Sequence, residues 1–197
     1  MAGSTNSAAR DARRVPPGQT LTEKWPVLHY GEVPEVDLGS WTFRIWGLVR
    51  AERVLSWAEF SALPWVEKTA DFHCVTGWSR LENRWEGVAT RAVLSLVEPD
   101  PKARFVMVHG RNDFTANLPL AEFLDEEALF AFRHDGQELS PEHGGPVRLV
   151  VPKLYAWKSA KWVTGIELIA EDRPGFWEGY GYHMHGDPWT EERYGGW

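Results

Sequence analysis

Hydrophobic positions recur along this chain in short alternating or continuous runs, not in long helical stripes. Trp41 to Val49 (WTFRIWGLV) is aromatic and β-branched with partial alternation, which predicts a strand. Arg104 to His109 (RFVMVH) predicts a buried strand, Val147 to Val151 (VRLVV) a strand stopped by Pro152, and Val163 to Ala170 (VTGIELIA) another. Ala128 to Arg133 (ALFAFR) and the stretch around Leu139 flank Asp135-Gly136, a hairpin signal, because such a turn needs residues that tolerate positive φ. Helical signals are short. Ser56 with Glu59 three residues on forms a capping box and predicts a helix through Leu63, ended by Pro64. Thr90 is expected to cap a helix over Arg91–Val97, and Leu118-Pro119 to open a third, with Pro119 in its first turn.

Strands therefore outnumber helices and do not alternate with them as in a doubly wound sheet. The predicted class is α+β, dominated by a mixed sheet or curled β structure. From Gly175 onward the chain (GFWEGYGYHMHGDPW) is Gly-rich and aromatic. It is expected to wrap the domain as an ordered loop, since its aromatic rings need a surface to cover. No linker is visible, so residues 16–197 are expected to form a single domain, with room for a site between two sheets. Residues 1–15 are expected to be disordered or loosely held.

Composition removes several function classes. A chain of 197 residues can bury a core without staples, and its single cysteine cannot form an intrachain disulfide. One cysteine also cannot build a zinc or iron–sulfur site without other ligands. The net charge of -7 argues against nucleic-acid partners, while leaving room for a small basic pocket that takes one anion. No apolar run approaches the ~20 residues that cross a bilayer, so no membrane association is expected. Arg13-Arg14 raises the question of a twin-arginine export signal. The Val15-Pro16-Pro17-Gly18 that follows is not an apolar stretch, so the expected location is cytoplasmic. The twelve tryptophans are scattered from Trp25 to Trp197 without a period, so no repeat is implied. Their apolar bodies with one donor suit both a core and a pocket for a flat polar ring system.

The run that carries chemistry is Asp71 to Ser79 (DFHCVTGWS). In an extended segment His73 and Cys74 point to opposite faces and would not ligate one metal together. A zinc site would need distant ligands such as His109 or His183, and no recognised spacing supports it. A Cys–His hydrolase with His109, His143 or His183 as base is an equally open reading. So is a buried, inert thiol.

HCVTGWS resembles the cysteine segment of the sulfite-oxidase-fold molybdenum enzymes. The likeness is closest to the branch holding the bacterial molybdopterin-dependent protein-methionine-sulfoxide reductase catalytic subunit and its short cytoplasmic relatives. Three further segments resemble that family in the correct order: PPGQ with the WPVLHYG that follows it, GGPVRLVVPKLYAWKSAKWV (Gly144–Val163) and GYGYHMHGDPW (Gly179–Trp189). The resemblance covers roughly residues 16 to 190. It implies a β-rich sulfite-oxidase-type molybdopterin-binding fold with short helices. It also implies a molybdenum ion held by the two dithiolene sulfurs of a molybdopterin, terminal oxygens and the Cys74 thiolate. A soft thiolate suits a metal already bound by sulfur.

The resemblance further implies that Arg148 binds the pterin phosphate, for which a guanidinium fork is suited. Ser159, Ala160 and Lys161 match the loop that closes over that phosphate, with Lys158 as a neighbour to test. His143 stands where the related reductase has an asparagine, and His109 near a threonine contact. His29 and Tyr30 fall near the N-terminal pterin contacts. True sulfite oxidases carry arginines shortly after the cysteine. Here Trp78 and Ser79 take those positions and the first arginine is Arg80, so Trp78 and Arg80 are the substrate-pocket candidates. An aromatic there suits a neutral substrate, and the implied function is oxygen-atom transfer on a small S- or N-oxide type substrate. Oxidation of sulfite by the same site is the alternative, and an inactive binding module that keeps the fold is a third reading of another class. No haem-binding segment is visible, so a separate electron-transfer protein is the expected partner.

Overall fold

The short runs pair into two sheets in a computed structural model that describes residues 12–195. One sheet holds β1 (Thr20–Leu21), β4 (Trp65–Cys74), β5 (Trp78–Ala89), β8 (Leu129–His134), β9 (Gln137–Glu138) and β10 (Arg148–Val150). The other runs in the order β3 (Arg53–Ser56), β2 (Thr42–Gly47), β11 (Val163–Ile169), β6 (Phe105–Gly110) and β7 (Thr115–Pro119). Both are mixed, since β1 runs parallel to β5 and β2 parallel to β11 while the other pairs are antiparallel. The α+β, β-rich class read from the sequence holds, with helices of only four or five residues: α1 (Trp57–Ser61), α2 (Thr90–Leu94), α3 (Leu120–Phe123) and α4 (Phe176–Gly179).

Between the sheets lies an aromatic and aliphatic core that includes Phe43 and Ile45 of β2, Val88 of β5, Phe130 of β8 and Ile166 of β11. The first sheet is covered on its other face as well, where Phe72, Trp85, Leu129, Ala131 and Val150 cluster under Trp25 and Trp78. That double burial explains the continuous apolar run of β8. Phe130 faces one cluster and its neighbours Leu129 and Ala131 face the other.

Local signals were read correctly where a turn or cap is self-contained. The capping box is formed: Ser56 Oγ accepts from the Glu59 N–H at 3.3 Å and Glu59 accepts from the Ser56 N–H at 2.8 Å. Asp135 and Gly136 have φ of 49° and 79°, as the hairpin turn requires. Thr90 is a correction. It is the first residue of α2 and caps nothing, because its hydroxyl is turned inward to the carbonyls of Phe123 and Ala128. Leu118-Pro119 is another: both end β7, and α3 starts only at Leu120. The expectation of a loosely held N-terminus falls mostly on residues 1–11, outside the described ones. Within the described part, Arg14 makes a two-pronged pair with Asp71, at 2.9 and 2.6 Å.

Candidate active site

The β4–β5 hairpin delivers Cys74 at the last residue of β4, opposite Trp78 across the turn. Gly77 closes that turn with φ of 96°, a conformation that a side chain would strain, and its N–H donates to Cys74 O at 3.0 Å. Alternation sends Phe72 and Cys74 to the face covered by Trp25, and His73 to the other. There the His73 Nδ1 meets Ser79 Oγ at 2.8 Å, so the two neighbours do not share a ligand. Among the described residues no group of three or more His, Cys, Asp or Glu side chains could hold a metal, and a zinc site has no basis there.

Cys74 opens into a cavity of about 330 Å³, at the small end of the range for ligand sites. Its walls come from distant parts of the chain: the segment from Trp25 to Tyr30, the end of β4, Arg148 at the start of β10, the loop from Ala156 to Trp162, and Trp177 and Tyr182 of the tail. The thiol is 7% exposed. Burial pushes its pKa up, against a Thr76 hydroxyl that donates to Sγ at 3.1 Å and the positive charges of Arg193 and Arg148. A metal that binds the sulfur would supply the stabilisation the thiolate lacks.

At the other end sit two cations. Arg148 is 3% exposed, and its guanidinium donates only to carbonyls: His143 O and Ser159 O at 3.0 Å, and Leu149 O at 3.4 Å. Phe72, Trp25 and Trp85 rings surround it at 5.3 to 5.9 Å. Burial pushes it down to about 9. Lys161 donates to Leu28 O at 2.8 Å and to Glu142 O, and burial with the nearby Arg148 charge pushes it down to about 7. Neither has a carboxylate within ion-pair distance among the described residues. The N–H groups of Ala160 and Lys161 have no acceptor there either, whereas the Ser159 N–H is spent on Ala156 O. Gly144, at φ of 104°, lets the cations approach. A Cβ there would lie 3.1 Å from Arg148 Cβ and 2.9 Å from Lys161 Cγ.

Two unmatched cations with free N–H donors form an anion site, and a buried cation without a counter-charge is costly unless a ligand supplies one. The donor set at the two ends, a soft thiol and a phosphate-sized cationic pocket, fits a metal–pterin phosphate. The aromatic walls between them suit a flat ring.

The cavity brings together His29, Tyr30, Cys74, Trp78, Arg148, Ser159, Ala160 and Lys161. Their roles differ from the sequence reading in detail. His29 and Tyr30 are exposed at the mouth, with Tyr30 against Phe176 at 4.3 Å. Ser159 Oγ accepts from the Val151 N–H at 3.0 Å, which fixes the loop and leaves the hydroxyl turned away from the anion. His143 is one layer behind: its ring stacks on Trp25 at 3.9 Å and its carbonyl accepts from Arg148. Burial pushes its pKa down.

Two further candidates do not line this cavity. His109 lies outside the cavity. On β6 the alternation that turns Val106 and Val108 into the core turns His109 to the outer face, against Trp46 at 4.7 Å and Glu167 at 3.5 Å. Arg80 is outside as well, spent on Asp135 at 2.6 Å, on Asn83 and on the Glu23 carbonyl at 3.1 Å. Lys158 is fully buried, bound to Glu178 at 2.6 Å, to both oxygens of Asn117 and to Met184 O. It ties the tail to β7 and does not reach the cavity. The sequence reading missed Trp25, Trp177, Tyr182, Gln19 and Arg193. Gln19 sits in the PPGQ segment, but nothing near Arg193 in the sequence points to Cys74.

Comparison with known proteins places these features. Residues 30–177 match the family described as the oxidoreductase molybdopterin binding domain. The chain is 47% identical over 182 residues to the uncharacterized oxidoreductase YuiH of Bacillus subtilis strain 168, covering 92% of each chain. It is 30% identical over 173 residues to the putative protein-methionine-sulfoxide reductase subunit YedZ1 of Azospira oryzae, covering 86% of this chain and 66% of that one. It is 29% identical over 170 residues to the protein-methionine-sulfoxide reductase catalytic subunit MsrP of Campylobacter jejuni, covering 75% of this chain and 55% of the relative. The chain thus spans about half the length of that MsrP. Among solved structures, the sulfane dehydrogenase SoxCD from Paracoccus pantotrophus shares the fold, with a TM-score of 0.67 at 21% identity over 73% of this chain and 41% of that one.

Proposed function

This chain belongs to the family of molybdopterin-binding oxidoreductases, and from that premise we propose that it transfers an oxygen atom from a small S- or N-oxide type substrate at a molybdenum ligated by Cys74. The observation that carries the reading is one cavity that holds a buried thiol together with two cations that have no carboxylate within ion-pair distance among the described residues. When bound, the molybdenum–pterin supplies the two-electron centre of the reaction, which the side chains cannot supply themselves.

The chain's own residues supply holding and selection. Arg148 and Lys161 would take the pterin phosphate, joined by the Ala160 and Lys161 N–H groups. Trp25 and Trp162 line the cavity and would flank a flat ring there, and Lys161 ties the Leu28 carbonyl to the same cavity. The cavity walls also include Val75, Trp78, Trp177 and Tyr182, which are mostly aromatic and apolar. Arg148 and Lys161 are held by backbone carbonyls, and Arg80 is spent on Asp135 and Asn83. An apolar, aromatic pocket of this kind favours a neutral sulfoxide or amine oxide over sulfite. Reduction requires electrons from outside. A separate electron-transfer protein meeting the mouth near His29 and Tyr30 completes the proposal, with the residues 16–197 acting as one cytoplasmic unit. Among the described residues no helix is long and apolar enough to cross a membrane.

The test is metal and activity analysis of protein made in a host competent for molybdopterin. Wild type is expected to carry molybdenum and to reduce a small sulfoxide with an artificial donor, and Cys74→Ser to lose the metal. Full molybdenum retention in Cys74→Ser removes the ligand assignment. Efficient sulfite oxidation with no sulfoxide turnover shifts the reaction to the alternative.

A further inference from the structure

The turn that presents Cys74 is gripped from behind by both ends of the described chain. The Cys74 carbonyl accepts from Gln19 Nε2 at 3.1 Å, the Gly77 carbonyl from the Thr20 N–H at 2.8 Å, and the Val75 carbonyl from Arg193 Nη1. Arg193 lies 118 residues from Val75 in sequence. Its Nη2 continues to the carbonyls of Gly18 at 3.3 Å and Pro17 at 3.4 Å, and its face covers the Tyr155 ring at 5.3 Å. Gly18, at φ of 67°, leaves room for the fork, since a Cβ there would stand 2.9 Å from Nη2. One planar group therefore joins the C-terminal tail, the PPGQ segment and the Cys74 turn. Its nearest carboxylate, Glu191, is half exposed and 3.8 Å away. A rigid fork of donors suits this use, and a lysine would reach only one of these carbonyls well.

The sulfur itself has little to hold it. Among the described residues its one hydrogen-bond partner is the Thr76 hydroxyl. The direction of the Cys74 side chain is thus set by the backbone of the turn, where Gln19 holds the carbonyl of the Cys74–Val75 peptide and Arg193 holds that of the next peptide, Val75–Thr76. We propose that Arg193 is a positioning residue for Cys74, clamping the turn so that Sγ faces the cavity in one orientation. The proposal rests on Cys74 being the metal ligand.

Arg193→Gln and Arg193→Lys test it, with Arg14→Gln as control. Arg14 also ties the N-terminal segment to the sheet, through Asp71, but does not touch the turn. Two readouts do not depend on turnover: the rate at which iodoacetamide alkylates the single cysteine of cofactor-free protein, and the EPR line shape of Mo(V) in the loaded enzyme. Both Arg193 variants are expected to keep molybdenum near the wild-type level, because the Cys74 thiol as well as Arg148 and Lys161 are still present. Alkylation is expected to speed up by about tenfold as the turn opens locally, and the Mo(V) signal to broaden or shift. Arg14→Gln is expected to leave both as in wild type. A wild-type line shape and alkylation rate in both Arg193 variants overturns the proposal, as does an equal change in Arg14→Gln. Should Arg193→Gln fail to fold, Arg193→Lys and Gln19→Leu report on the same turn, and wild-type readouts in both overturn it. The ligand assignment fails separately, by molybdenum retention in Cys74→Ser.

Discussion

Lys158 and Lys161 are close in sequence and have opposite fates. Lys158 is fully buried against Glu178, also buried, at 2.6 Å, with Asn117 and Met184 satisfying the rest of its ammonium. Lys161, half-buried beside the buried Arg148, meets carbonyls and no carboxylate within ion-pair distance among the described residues. In the first arrangement the ammonium has its counter-charge without a ligand, and the pair holds the tail on the body. The second is incomplete without one. A cation withdrawn from water with no counter-charge costs several kcal/mol, so its persistence marks where an anion belongs. The number of basic residues near a site is thus less informative than which of them lack an acid.

The sharpest break of this contrast is at Glu178. Glu178→Gln leaves Lys158 buried and without its counter-charge, and unfolding in urea is expected to show a loss of about 3–5 kcal/mol. A loss below about 1 kcal/mol would remove the distinction between the two lysines. Arg148→Met is expected to behave in the opposite sense. Cofactor-free protein should be at least as stable as wild type, while cofactor retention through gel filtration falls by about a hundredfold in affinity, the scale of a lost charge-assisted pair. A strongly destabilised apo variant would make Arg148 a structural cation like Lys158.

Lys161 sharpens the contrast through pH. Its folded value, about 7, lies below its ordinary 10.5. Below pH 7 folded and unfolded chains both hold the proton. Between the two values the unfolded chain holds more, so stability of cofactor-free protein rises with pH across that window, by at most ~1.4 kcal/mol per pH unit. Lys161→Met should flatten this rise in a series of melting curves. A bound phosphate returns the proton to Lys161, so cofactor affinity should fall over the same window. The smallest effect is expected at Arg80. Arg80→Met loses a half-exposed pair with Asp135 and its bond to Asn83, worth about 1 kcal/mol. Steady-state KM for a sulfoxide should stay as in wild type, and a large rise would put Arg80 back in the pocket.

Much of this was legible in the sequence where the cause is local. The capping box at Ser56, the Asp135-Gly136 turn and the strands at 42–47, 105–110, 148–150 and 163–169 follow from neighbouring residues. The longest pair, β4 with β5, was not predicted as strands. One face carries Glu67, Arg84 and Glu86, and Lys68 interrupts the apolar residues of the other, so charges hide the alternation. Family resemblance pointed to Cys74, Arg148 and Lys161 correctly as members of one cavity. It also offered His109 and Arg80, and there the pairing of strands decided otherwise.

By itself, then, the sequence determined the class of fold, the family and the chemistry of the cofactor, because motifs and turn residues act over a few positions. Only the tertiary structure decided which face each side chain occupies and which cations find an acid. It also decided that Arg193, far along the chain, grips the turn of Cys74. Those outcomes depend on register and on contacts between segments distant in sequence, and no local pattern encodes them.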